Sequence, residues 1–122
     1  MFELDNKSRL PIYEQIVNEM QAQVVKGILE PGDRVPSIRE LAALLGINPN
    51  TVSKAYQELE RLEILSTVKG RGTFITEQTG KMLSEKTLLD AKKRLKEAVI
   101  HLKALGISET EINNWVKEAE EE

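Results

Sequence analysis

The chain has 122 residues, a formal net charge of −3 and no cysteine, with 30% charged and 40% hydrophobic residues. That length holds one domain and a small appendage. Without cysteine there are no disulfides, thiolate metal sites or cysteine nucleophiles, and the single histidine, His101, has no second imidazole to share a metal with. No apolar run is long enough to span a bilayer and no signal-type apolar region opens the chain, so a cytoplasmic protein with no membrane contact is expected.

Residues 1–10 read as polar and extended, with Lys7 and Arg9 as isolated cations. Pro11 opens a helix to about Lys26. Its apolar stripe is Ile12, Ile16, Met20 and Val24, widened by Val17 and Val25, and Gly27 ends it. Tyr13 and Gln15 read as parts of this supporting helix. Glu30-Pro31-Gly32-Asp33 is a turn, and Arg34-Val35 has the length of a very short strand.

Ser37-Ile38-Arg39-Glu40 fits a capping box, in which a serine hydroxyl and a glutamate three residues later satisfy each other's backbone N–H. Ile38, Leu41, Ala42 and Leu45 face inward on the short helix that follows. Gly46 can take the left-handed conformation that stops it. Asn48 then caps a second helix, whose first turn accommodates Pro49. Val52, Ala55, Tyr56 and Leu59 mark the buried face of this second helix. Asn50, Thr51, Ser53 and Lys54 lie mostly elsewhere on the same turns. They are short donors and acceptors with one cation, the inventory that reaches phosphates and base edges. A short helix, a tight turn and a longer helix make a helix-turn-helix.

After Leu62 the period changes. Ile64, Leu65, Thr67 and Val68 suit a strand, Lys69-Gly70-Arg71-Gly72 a turn, and Thr73 to Thr76 a second strand. A hairpin with a basic, glycine-rich tip after a recognition helix is a wing. Charge distribution agrees: Arg34, Arg39, Lys54, Lys69 and Arg71 cluster in this block, whereas Glu58, Glu60 and Glu63 gather at the far end of the second helix. Acids further off, such as Glu118 to Glu122, are screened beyond a Debye length of about 8 Å, so a negative net charge does not forbid a polyanion partner.

Glu77 to Lys81 reads as a polar linker, and the rest is helical. Leu88, Leu95 and Leu102 are spaced by seven, each followed three residues later by Ala91, Ala98 or Leu105. That is an apolar seam with small residues for close helix approach. Gly106 ends the helix, and Ser108-Glu109-Thr110-Glu111 is a second capping box with Ile107 and Ile112 as its hydrophobic staple. Ile112, Trp115, Val116 and Ala119 give the last helix an apolar stripe. Two such helices hide too little surface to stand alone and should pack on a copy of themselves or on the first domain. Dimerisation is the stronger expectation.

Three stretches together resemble the GntR family of bacterial regulators: Pro36 to Ala42, Asn48 to Tyr56, and Gly70 to Ile75. Pro11-Ile12-Tyr13-Glu14-Gln15-Ile16 is similar to the start of that family's winged domain, and the two-helix tail resembles its short YtrA-type branch. The resemblance implies a mainly α fold with a small β-hairpin: a winged helix-turn-helix over residues 1–76, a linker over 77–81 and a two-helix antiparallel dimerisation tail over 82–122. It implies DNA contacts by Arg34, Ser37, Arg39, Asn48, Asn50, Thr51, Ser53, Lys54, Lys69, Gly70, Arg71 and Gly72. Arg39 falls where relatives aim an arginine at phosphate or guanine, and the wing tip falls where relatives enter the minor groove. Some relatives carry arginines where Pro49 and Ser53 stand here, so no base preference carries over. The short tail leaves no room for the large effector domain of other branches, and no metal or cofactor is implied.

The expected function is a homodimeric, sequence-specific transcriptional regulator, a repressor, on a pseudo-palindromic double-stranded operator. The alternative is a winged-helix protein–protein interaction module, supported by the acidic tail. An enzyme fits least. Ser37, Asp33 and Glu40 could be drawn as a catalytic cluster, but capping explains Ser37 and Glu40, and neither phosphate-loop spacing is present.

Overall fold

The computed structural model describes residues 2–77 and 84–119. These fall into two compact units, Met1–Thr79 and Gly80–Glu122. Within the first, α1 (Ile12–Val25) precedes β1 (Arg34–Val35), α2 (Ile38–Leu45), α3 (Pro49–Arg61), β2 (Leu65–Val68) and β3 (Gly72–Ile75). The second holds α4 (Glu85–Ala104) and α5 (Glu109–Glu118). Residues 78–81 of the expected linker, residues 82–83 of the expected tail and the final acids 120–122 lie outside the described residues. No helix among the described residues is long and apolar enough to cross a membrane.

The first unit closes around one core. Ile16, Val17 and Met20 of α1, Leu41 and Ala42 of α2, and Val52, Ala55, Tyr56 and Leu59 of α3 are buried together with Val35, Leu65 and Ile75. Burying an aliphatic or aromatic side chain of this size stabilises by roughly 1.5–3 kcal/mol, so the three helices are held chiefly by this shared interior. Along α1, the buried stripe continues through Gln23 rather than Val25, which is 63% exposed. Val25 lies nine residues after Ile16, half a turn out of phase, while Gln23 lies seven after it and returns to the same face.

The segment before α1 is also part of the packing, unlike the extended polar stretch expected from the sequence. Phe2 and Leu4 pack against the core. Gln15 holds their strand of chain: its Oε1 accepts from Asp5 N at 2.8 Å, and its Nε2 donates to the carbonyls of Asp5 and Leu10, both at 2.9 Å.

The wing is the outer part of a three-stranded antiparallel sheet ordered β1-β3-β2. Arg34 sits opposite Phe74 and Val35 opposite Thr73, while β2 pairs with β3 from Leu65↔Ile75 to Val68↔Gly72. The turn before α2 is thereby stitched to the hairpin after α3, so helix-turn-helix and wing are parts of one body.

In the second unit, α4 and α5 form a helical hairpin. Ser84 caps α4 by accepting from Thr87 N, and Ser108 caps α5 by accepting from Glu111 N at 3.2 Å. Ile112 is buried inside this unit, and no residue of α4 is.

A candidate nucleic-acid interface

The helix-turn-helix is built from two well-made caps. Ser37 Oγ accepts from Glu40 N at 3.1 Å while Glu40 Oε1 accepts from Ser37 N at 3.2 Å, the reciprocal capping box. Hydrogen bonding to the Glu40 carboxylate, from the Ser37 hydroxyl first and the Ser37 backbone N–H second, holds that carboxyl below its usual range. Arg39, one position earlier on the same turn, is exposed. Gly46 ends α2 at φ 66°, and Ile47 N then donates to Ala42 O at 3.0 Å. Non-glycine residues pay for that left-handed geometry, which is why the tight turn falls there. Asn48 Oδ1 accepts from Asn50 N at 2.8 Å and so caps α3.

The recognition helix has the expected two faces. Val52, Ala55, Tyr56 and Leu59 are in the core, Asn50 and Lys54 are exposed, and Thr51 and Ser53 are half-buried. Asn48 and Ser37 are exposed too, but both have their side-chain oxygens engaged in caps. Gln57, one turn beyond Ser53, is exposed with its Nε2 toward Ser53 Oγ at 3.5 Å. It was not among the expected contacts, although its spacing of four from Ser53 puts it on the same polar face. Two anchors fix how α3 sits. The buried Tyr56 hydroxyl donates to the Pro36 carbonyl at 2.6 Å, and Lys54 Nζ lies 4.1 Å from the centroid of the Tyr13 ring.

Arg34 belongs to the wing as much as to the turn before α2. A Cβ placed on Gly72, whose φ is 123°, would come within 2.8 Å of Arg34 Nε. The guanidinium therefore lies against the bare backbone where the hairpin begins its return. Lys69, Gly70 and Arg71 form the exposed tip, closed by Arg71 N donating to Val68 O at 2.9 Å. Lower down, Thr67 Oγ1 donates to Glu60 Oε1 at 3.0 Å and lies 3.3 Å from Thr73 Oγ1, tying the hairpin to the end of α3. The carboxylates at that end are engaged in the fold: Glu58 also pairs with Arg61. α2's exposed arginine, the polar face of α3 and the basic tip all belong to this unit, with two exposed acids, Asp33 and Glu40, next in sequence to Arg34 and Arg39. Among the described residues, no group of three or more His, Asp or Glu side chains is placed to hold a metal ion.

The remaining candidates lie on the second unit. Leu88, Ala91, Leu95, Ala98 and Leu105 of the seam are exposed, Leu102 is half-buried, and Trp115 and Val116 of α5 are exposed. Ile112, expected among the dimer contacts, is instead 8% exposed within the single chain.

A capped helix-turn-helix with a sheet-anchored basic wing is the architecture of DNA-binding regulators. A family model described as "Bacterial regulatory proteins, gntR family" matches residues 12–75. The HTH-type transcriptional repressor YtrA of Bacillus subtilis (strain 168) is 45% identical over 118 residues, covering 97% of this chain and 91% of that protein. Among solved structures, a transcriptional antiterminator from Listeria monocytogenes EGD-e is similar with a TM-score of 0.84 at 53% identity, over 97% of this chain and 88% of that one. AraR(DBD) in complex with operator ORR3 is similar with a TM-score of 0.53 at 29% identity, over 62% of this chain and 92% of that one. The chain belongs to the GntR family of bacterial regulatory proteins and carries its winged helix-turn-helix.

Proposed function

We propose that the protein is a homodimeric transcriptional repressor that reads a pseudo-palindromic DNA operator. The observation that carries this reading is the division of α3: one face is locked in the core by Val52, Ala55, Tyr56 and Leu59, and the other offers Asn50, Thr51, Ser53 and Lys54 outward. A helix so fixed can enter a major groove with its polar side chains at base edges. In this reading, Asn48, Asn50, Thr51 and Ser53 supply base readout. Arg34, Ser37, Arg39, Lys54 and the wing residues Lys69, Gly70, Arg71 and Gly72 supply phosphate and minor-groove contacts. Repression follows from occupancy: a bound dimer excludes other proteins from the same DNA. The likeness to a protein named as a repressor supports that sign.

Residues 1–76 form the DNA-binding part in this reading, 77–81 a linker and 82–122 the dimerisation tail. The exposed Leu88, Leu95 and Leu105, with Trp115 and Val116, support a second copy as the tail's partner. Alanines at 91 and 98 permit close helix approach there. Two winged units so joined would span half-sites one helical turn or a multiple apart, about 34–36 Å per turn. Sedimentation of the wild type and of Leu95→Glu tests this. The wild type should be a dimer that binds one duplex with two chains, and the variant a folded monomer with far weaker binding. A variant that remains dimeric with unchanged affinity overturns the assigned dimer seam.

A further inference from the structure

Lys54 is the cation nearest the middle of the recognition helix, and its placement is unusual. Four residues ahead lies Glu58, an ordinary helical ion-pair partner. Glu58 instead pairs with Arg61, and among the described residues no carboxylate forms an ion pair with Lys54. The ammonium sits over the ring of Tyr13, on the first turn of α1, 4.1 Å from its centroid. The Tyr13 hydroxyl donates to Glu14 Oε1 at 3.1 Å, which engages the other nearby carboxylate. Pro11, Ile12, Tyr13, Asn50, Thr51 and Lys54 line a shallow, open groove between the two helices. Its α1 side is apolar and aromatic, and its α3 side carries a cation, an amide and a hydroxyl.

We propose that Tyr13 is a positioning residue for DNA binding, holding the Lys54 ammonium at this groove so that it meets a backbone phosphate. The proposal rests on the DNA-binding reading above. A lysine on a free four-carbon stem loses rotamer freedom when it engages a phosphate, and a cation resting on a ring face has lost most of it beforehand. The ring face attracts the ammonium without neutralising it, so its charge and donors remain available to an anion. An ion pair with Glu58 would have cancelled that charge. Tyr13 itself need not touch the DNA; what matters is its ring, not its hydroxyl.

The test measures affinity of the full chain for its selected operator across a salt series, for the wild type, Tyr13→Phe, Tyr13→Leu, Lys54→Met and the Tyr13→Leu/Lys54→Met pair. Lys54→Met should lower the slope of log affinity against log salt by about one, the signature of one lost phosphate contact. Tyr13→Phe should bind within about twofold of the wild type, because the ring is kept. Tyr13→Leu should lose roughly five- to tenfold, and the double variant should bind no more weakly than Lys54→Met alone. Thermal unfolding of each variant checks that Tyr13→Leu still folds; if it does not, the Lys54→Met slope and the Tyr13→Phe affinity decide. An unchanged slope for Lys54→Met overturns the proposal, as do losses from the two single variants that multiply in the double. A wild type that selects no operator overturns the DNA reading and this proposal together, whereas tight wild-type binding with neutral variants overturns this proposal alone.

Discussion

The Tyr56 hydroxyl and the Pro36 carbonyl, 2.6 Å apart, join the middle of the recognition helix to the turn in front of α2. Tyr56 is buried, so this bond is shielded from water and fixes the rotation of α3 relative to the rest of the motif. Burial, and then the charge of Glu40, push the phenol up to about 12. The folded protein therefore keeps a proton that the unfolded chain releases above the usual value near 10. Stability from this group is complete below pH 10 and is lost as pH rises toward 12. Tyr56→Phe should cost about 1–2 kcal/mol at neutral pH and remove that part of the alkaline loss. Urea unfolding at neutral and alkaline pH checks both; equal stability of the two proteins at neutral pH contradicts the assignment.

Gly72 makes a seat for Arg34. A methyl group there meets the guanidinium at 2.8 Å on a backbone that side chains rarely adopt. Gly72→Ala should therefore displace Arg34 and weaken operator binding to the extent that Arg34→Ala should. The two changes act on one contact, so the double variant should lose little beyond either single one. Binding titrations of the three variants measure this, and fully additive losses would separate the two residues.

α3 stops at a position where α1 and α4 have glycine. Glu63 N donates to Glu60 O at 3.0 Å and Ile64 N to Leu59 O at 2.9 Å, with Glu63 at φ 64°. This is a Schellman stop made with a residue that has a Cβ, at a cost of about 1–2 kcal/mol, partly offset by the extra freedom glycine has when unfolded. Glu63→Gly should raise stability by about 0.5–1 kcal/mol net without altering DNA affinity. A thermal melt and one titration suffice.

Arg39 is exposed beside the capping box, so Arg39→Ala should leave stability within about 0.5 kcal/mol. Operator binding should fall by roughly 1–3 kcal/mol if the guanidinium reads a base. Measuring a panel of operator variants separates the two contact types. A loss concentrated at one base pair assigns Arg39 to that base, and a uniform loss assigns it to phosphate.

What was legible in the sequence was what local chemistry decides. Ser37 and Glu40 announce their cap, Asn48 and Pro49 theirs, and the spacing of Val52, Ala55, Tyr56 and Leu59 identifies the buried face without knowledge of what covers it. The charged tip from Lys69 to Arg71 was equally plain. What escaped depends on residues far apart in the chain. Pairing of Arg34 with Phe74 makes the wing part of a three-stranded sheet, and no short-range pattern marks it. Tyr13 and Lys54 are separated by α2 and two turns, so their stacking has no local signature. Val25 is the exception: it is apolar and close to the stripe, but helical phase counted from Ile16 already gives the buried place to Gln23.

A repressor of this build should read a specific, two-fold operator through α3 and the wing. Selection of bound duplexes from a random-sequence pool, with the intact protein at near-physiological salt, tests it most directly. The account predicts enrichment of an inverted repeat whose half-sites lie about one helical turn, or a multiple of it, apart. A folded, dimeric protein that enriches no sequence would contradict it.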